Sequence, residues 1–286
     1  MEARLIFRPT RPHCGQSNHL KENILENNLK NTALIMQEIP EVGYVKTMAK
    51  TFRILEIIGQ SSEPMSIADV ATTTGIPRPT AHRFIQTLLI LGYLEQSAVD
   101  RRVKIGLKLL PLTANVLDNN KLRLAALPYL QKIAQKTNHR VNLGVIVENR
   151  VLYLAGIEKP NLPNIYSHFG KTAPVHCCSL GKAVLAYLPE DEIVEICQRD
   201  NFRPMTNNSI LTIDKLLGEL EETRIRGYAI DNAEHNINEF CVAATIFDIN
   251  HKPVGSLGLS SRSLEHLHKE VDILKETTEI ISHILR

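Results

Sequence analysis

No tryptophan occurs in the 286 residues, and Tyr and Phe together supply only 5% of them. A stacking platform for single-stranded nucleic acid needs several exposed rings, so that class of function lacks its materials. No stretch approaches 18 consecutive apolar residues, and the N-terminus has no apolar core of a secretion signal. A membrane is therefore not expected as a partner, and the cytoplasm is the expected compartment. The five cysteines, Cys14, Cys177, Cys178, Cys197 and Cys241, are odd in number. The adjacent pair Cys177 and Cys178 would bridge only with strain, so reduced thiols fit best. Two catalytic signatures are missing. Lys182 is followed by Ala183 with no upstream Gly at phosphate-loop spacing, and no Gly-x-Ser-x-Gly elbow is present.

What is present is ordinary globular material: 43% apolar and 22% charged residues. That composition excludes a disordered, collagen-like or coiled-coil chain. The length favours two domains, one under a hundred residues and one larger. The net charge of +2 is unevenly spread. Residues 1–45 are balanced, residues 46–110 carry nine Lys and Arg against five Asp and Glu, and residues 111–286 carry 19 against 21. The excess positive charge sits in one short block.

Residues 1–44, with Pro9, Pro12, Gly15 and an Asn-rich run, read as a poorly ordered extension. Met36 and Met48 are alternative translation starts, which mass spectrometry of the native N-terminus would decide. From Val45 the apolar residues Val45, Met48, Phe52, Leu55 and Ile58 fall on one helical face that Gly59 closes. Ser66 is placed to cap a second helix with Ile67, Val70 and Ala71 inward, stopping at Gly75. A third begins near Arg78 or Pro79 and runs through Ala81, Phe84, Ile85, Leu88 and Leu91 to Gly92. Three helices with a tight Gly-containing turn between the last two form a helix-turn-helix. The strand-like segments Tyr93–Gln96 and Val103–Ile105 flank a hairpin carrying Arg101 and Arg102, which reads as a wing. This winged unit spans 45–110. A helical linker spans 111–127, with a polar, extendable connection from Asp118 to Leu127 before Pro128 restarts a helix.

The remainder, 128–286, alternates strands with helices. Val141–Val147 and Val151–Ile157 form a hairpin, Ile165–His168 is a further strand candidate, and helices cover Ser179–Leu188, Pro189–Arg199 and Asp214–Arg226. Strands follow at Tyr228–Ile230, Val242–Ile249 and Val254–Ser260, and one helix from Leu264 to Leu285 ends the chain. An antiparallel sheet flanked by helices, the α+β class, is expected.

In the third helix the inward apolar stripe leaves Arg78, Thr80, His82, Arg83 and Gln86 facing outward, all able to donate to phosphates or base edges. In helix-turn-helix docking the start of this helix enters the major groove, and Arg101 and Arg102 of the wing suit an adjacent phosphate. Double-stranded DNA is the expected partner, against the plainer reading of a solvated face. A second cluster, Pro174 to Lys182, passes from loop into helix, so the backbone N–H groups of Ser179–Gly181 offer an anion site for a small carboxylate. His176, Cys177, Cys178 and Cys241 could hold zinc, but adjacent cysteines do not readily share one tetrahedral ion. A Cys/His nucleophilic pair there lacks an identifiable third group to orient the histidine. No metal site, cofactor or catalytic residue is therefore assigned, although a Cys/His enzyme and a metal-responsive regulator stay as alternatives. Asp231, just past a strand, would accept a hydrogen bond from a ligand hydroxyl if it folds toward Ser179.

These stretches together resemble the IclR-type bacterial transcriptional regulators. The likeness is carried by Ile76 to Arg83 with Leu91-Gly92-Tyr93, by Lys104 to Leu109, and by Pro174-Val175-His176 with Gly181-Lys182-Ala183. It continues through Arg226 to Asp231, Glu234-His235, Cys241 to Ala244 and Ile246-Phe247-Asp248. The resemblance implies a winged helix-turn-helix, a helical linker and a GAF-like effector domain that also oligomerises. It further implies a dimer or tetramer that binds operator DNA, commonly as a repressor, and answers to a small organic or sugar acid. Carried over by position, the effector pocket involves Ser179, Leu180, Asp231, Cys241, Gly258 and Ser260. Two departures stand out. Pro77 and Pro79 replace the Ser or Lys that many relatives have before the recognition helix, and Gly258 replaces a hydroxyl-bearing residue of some acid-binding relatives.

Overall fold

The computed structural model describes residues 43, 45–159, 168–199 and 201–286. The expected N-terminal extension, Cys14 and most of the strand expected at Ile165–His168 lie outside them. The chain divides into two compact units between Thr113 and Ala114.

The first unit holds α1 (Lys46–Gln60), α2 (Ile67–Thr74) and α3 (Arg78–Ile90), followed by the two-stranded antiparallel hairpin of β1 (Leu94–Gln96) and β2 (Val103–Ile105). Short-range chemistry fixes the turn between α2 and α3. Ser66 and Asp69 form a reciprocal capping box at the start of α2, and Gly75 ends it at φ 67°, a left-handed value that glycine adopts without steric cost. The core is Ile54, Ile58, Val70, Ala71, Ile76, Ala81, Ile85, Leu88, Leu94 and Val103. One expectation fails here. Val45, Met48 and Phe52 are solvent-exposed, so of the expected face only Ile58 and the half-buried Leu55 reach the core, and α1 buries Ile54 and Ile57 as well. The helix carries two apolar stripes, and α2 and α3 can cover only one of them. Gly59 lies inside α1, which runs on to Gln60.

A short 3₁₀ turn (Leu107–Leu109) leads into α4 (Leu110–Asp118), along which the chain crosses the division. Next comes α5 (Lys121–Thr137), one continuous helix with Pro128 inside it, in place of the expected restart at Pro128. Asn120 caps it by accepting from the Arg123 N–H at 2.8 Å. Pro128 forfeits one helical hydrogen bond. The stripe Leu122, Ala126, Leu130, Ile133 and Ala134, buried along the sheet, outweighs that local cost.

The second unit is built on β3 (Arg140–Val147), β4 (Arg150–Ile157), β5 (Thr172–Pro174), β6 (Ala229–Asn232), β7 (Phe240–Phe247) and β8 (Pro253–Ser261). They form one antiparallel sheet in the order β5-β4-β3-β8-β7-β6. The remaining helices are α6 (Ser179–Leu185), α7 (Glu190–Gln198), α8 (Ile213–Arg226), α9 (Leu264–His268) and α10 (Val271–Ile284). The single C-terminal helix expected from Leu264 to Leu285 is two, interrupted at Lys269 and Glu270, with Ser263 capping the first. Strand alternation sorts the two faces. Val141, Leu143, Val242, Ala244, Ile246, Leu257 and Leu259 join the core formed with α5 and α10. Asn142, Gly144, Cys241, Ala243, Ser256, Gly258 and Ser260 alternate with them toward the opposite face, where α6 packs.

Candidate functional site

In the first unit, α3 presents Arg78, His82 and Arg83 to solvent and Thr80 and Gln86 partly so, while Ala81, Ile85 and Leu88 are buried. Pro77 stands at the N-cap position without a side-chain capping bond, as the missing serine implies. On the hairpin the two arginines differ. Arg101 sits exposed at φ 60°, whereas Arg102 donates to the Pro64 carbonyl at 3.0 Å and lies 3.7 Å from the Asp100 carboxylate. Of the other cations, Lys104 pairs with Glu95 at 3.3 Å and Lys108 donates to the Leu91 carbonyl at 2.8 Å. Arg78, Arg83 and Arg101 thus offer exposed positive charge on the helix and the wing.

In the second unit, register assembles a polar row across four strands. Arg140 pairs with Ser260, Ser260 with Cys241, and Cys241 with Asp231. Three inter-strand steps place the ends of this row about 14 Å apart. Asn142 and Gly258, paired with each other, form the next rank. The start of α6, Tyr153 and His168 complete a narrow cleft of about 380 Å³, its open mouth included. Ser179, Leu180, Asp231, Cys241, Gly258 and Ser260 all line it. Within it Asn142 Nδ2 donates to Ser260 Oγ at 2.9 Å, and Cys241 Sγ donates to the same oxygen at 3.2 Å. Gly258 is tight, since a Cβ there would sit 3.1 Å from both Leu180 Cδ2 and the Val242 carbonyl.

The helix start differs from expectation in one respect. The Gly181 N–H donates to Cys178 Sγ at 3.4 Å, so Cys178 is the cap and only the N–H groups of Ser179 and Leu180 remain as first-turn donors. Asp231 is 2% exposed and accepts from the backbone N–H groups of Glu234 (2.7 Å) and His235 (3.3 Å). Burial pushes its carboxyl up to about 7, and the neighbouring Glu234 carboxylate adds to the rise. His235 is pushed down to about 4, chiefly by burial and then by the charge of Arg150, and burial also lowers His168. Both rings are neutral near pH 7.

The thiols have the opposite of an activated character. Burial pushes Cys178 and Cys241 up to about 12, and Cys177 is fully buried. His176 is also fully buried, with Nε2 3.2 Å from the Arg203 carbonyl. Among the described residues no group of three His, Cys, Asp or Glu is placed to hold a metal ion. No helix among them is long and apolar enough to cross a membrane.

Sequence reasoning misses two charged residues. Arg140 lines the cleft beside Glu239, with which it forms an ion pair. Lys182 is 0% exposed behind the cleft, its Nζ 2.6 Å from Glu234 Oε1 and 3.9 Å from Glu219 Oε1. The alternation Arg140-x-Asn142 places both residues on one side of a strand, but only the register with β8 brings Arg140 to Ser260.

Residues 114–283 match the family model for the C-terminal domain of bacterial transcriptional regulator IclR, and residues 47–98 match the IclR helix-turn-helix domain. The chain belongs to the IclR family of bacterial transcriptional regulators. An IclR-type regulator reads DNA through its helix-turn-helix and carries a ligand-binding C-terminal domain. The chain is 28% identical over 242 residues to the HTH-type transcriptional regulator KdgR of Escherichia coli, covering 83% of this chain and 92% of that protein. It resembles the crystal structure of the Thermotoga maritima IclR at 30% identity and TM-score 0.62, covering 85% and 99% of the two chains. The fold is shared with an IclR homologue from Microbacterium hydrocarbonoxydans complexed with 4-hydroxybenzoate (22% identity, TM-score 0.69, 84% and 99% covered).

The raised Asp231 carboxyl gives this IclR-family chain a pH signature. Its protonated form suits the fold, so the stabilisation is complete below the ordinary value of 3.8 and is lost as pH rises through about 7. Asp231→Asn, which cannot ionise, should remove that loss and flatten the dependence of the unfolding midpoint between pH 4 and 8. Parallel curves for the two proteins would remove Asp231 as the source.

Proposed function

We propose that the protein is a cytoplasmic, ligand-responsive repressor that binds operator DNA as a dimer or tetramer and senses a small organic or sugar acid. The observation that carries the effector half is the cross-strand row Arg140, Ser260, Cys241 and Asp231, roofed by Ser179 and Leu180. One end of it is cationic, and the middle and far end offer hydroxyl, thiol and carboxyl groups, which suits a carboxylate bearing hydroxyls. No catalytic step, metal or cofactor belongs to this reading. The neutral buried thiols and the IclR homology of both domains count against the Cys/His enzyme.

In the DNA half, Arg78, Thr80, His82, Arg83 and Gln86 face the major groove, Arg101 contacts a phosphate, and Arg102 braces the wing through Pro64 and Asp100. The exposed stripe of Met48 and Phe52 on α1, with Val45 at its N-cap, suits contact with a second copy, which would present two recognition helices to a palindromic site. The effector acts by favouring one arrangement of those helices over another, because equal affinity for both would shift nothing.

The test is binding to a duplex selected from a random pool, measured by fluorescence anisotropy at several salt concentrations. Arg83→Ala should cost about 1–3 kcal/mol on the selected duplex and reduce discrimination against a scrambled one. Arg101→Ala should weaken both duplexes alike and lower the salt slope by about one. If neither variant changes binding, the helix and the wing do not form the interface.

A further inference from the structure

We propose that Arg140 is the anchor for the effector's carboxylate, and that Glu239 occupies the guanidinium until the ligand displaces it. This rests on the effector reading of the cleft and specifies it. Arg140 is the only Lys or Arg among the described residues lining the cleft. Its Nη2 is paired with the Glu239 carboxylate, while its Nε is buried without a hydrogen-bond partner among the described residues. A buried donor left unused is costly, and a carboxylate meets the Nε and Nη2 edge of a guanidinium with two parallel bonds. Glu239 leaves one edge unmet because its Oε2 is engaged elsewhere, accepting from Asn236 Nδ2 at 2.9 Å. Glu239 also stands just before β7 at the rim, its side chain 26% exposed, so water can solvate it once it is displaced.

The charges of the cleft narrow the ligand class. Among the described residues its carboxyl groups are Asp231 and Glu239, at opposite ends of the row, and its histidines are neutral near pH 7. A second carboxylate on the ligand would meet the buried Asp231. The fitting ligand is a monocarboxylate that lays hydroxyl or oxo groups along Ser260, Cys241 and Asp231.

The experiment is calorimetric titration, after a thermal-shift screen, of the full chain with pyruvate, glycerate, gluconate and 4-hydroxybenzoate. Each is set beside its neutral counterpart: pyruvamide, glycerol, sorbitol and 4-hydroxybenzamide. At least one acid should bind and its counterpart should not. Arg140→Gln should weaken that acid about tenfold or more. Glu239→Gln, which removes the competing anion, should tighten it by about threefold. The opposite signs separate an anchor from a structural brace. If Glu239→Gln weakens binding as Arg140→Gln does, the pair is a brace and the proposal fails. If Arg140→Gln binds normally while Ser260→Ala and Asp231→Asn do not, the cleft remains the effector site and the anchor is overturned. If no acid in the panel binds, the acid-effector reading falls and the anchor with it.

Discussion

Lys182→Met should lower the stability of the C-terminal unit by about 3–5 kcal/mol, the usual cost of removing one partner from a buried ion pair. For a unit of this size that corresponds to a drop of roughly 10 °C in the unfolding midpoint. The cause is what remains behind. Glu234 is 6% exposed, its Oε1 meets Lys182 Nζ at 2.6 Å and the Asn232 N–H at 3.2 Å, and its Oε2 has no hydrogen-bond partner among the described residues. Without the ammonium, Glu234 and Asp231 face each other in a buried site with no fully enclosed cation between them. The double variant Lys182→Met with Glu234→Gln should regain part of the loss, because a neutral pair of similar volume carries no stranded charge. Differential scanning calorimetry of the three proteins decides the matter, and an unchanged midpoint in the single variant would show that the pair contributes nothing.

Gly181→Ala should cost about 3 kcal/mol by overpacking. A Cβ at this position would lie 2.3 Å from the Val175 carbonyl oxygen and 2.6 Å from Val175 Cα, backbone atoms that no side-chain rotation can move. Relief requires the start of α6 to lift away, carrying Ser179 and Leu180 from the cleft, so ligand-dependent stabilisation should vanish along with part of the fold. Gly218 supplies the contrast, lying within α8 with nothing within 4 Å of an added Cβ. Gly218→Ala should therefore stabilise by roughly 0.5–1 kcal/mol through backbone entropy alone. Chemical denaturation of both variants gives the comparison, and similar midpoints would show that the Val175 contact yields without strain.

The parts of this molecule legible in its sequence are those whose causes lie within a few residues. The Ser66 cap, the stop at Gly75 and the arginines of the hairpin are all local chemistry. The errors arise where distant packing decides. The stripe Val45, Met48 and Phe52 is as regular as the one α1 buries, and only the positions of α2 and α3 select between them. Pro128 reads as a helix start until Leu122 and Ala126 find the sheet. The six effector positions carried over from the family resemblance line one cleft, whereas Arg140 gives no signal because its meaning comes from Ser260, 120 positions later. Lys182 likewise gives no sign of burial, because its partner Glu234 lies 52 residues on.

The pairing of β3 with β8 also orders events at the ribosome. The helix-turn-helix and its hairpin close through contacts within about sixty residues, while Arg140 waits for Ser260 before the central ladder of the sheet can form. Long-range antiparallel pairing of this kind is slow and needs nearly the whole chain to have emerged. A nascent polypeptide is therefore expected to close its DNA-reading fold well before its ligand-binding one. Prematurely terminated translation products should include fragments that retain the DNA-reading module and lack the ligand-binding one.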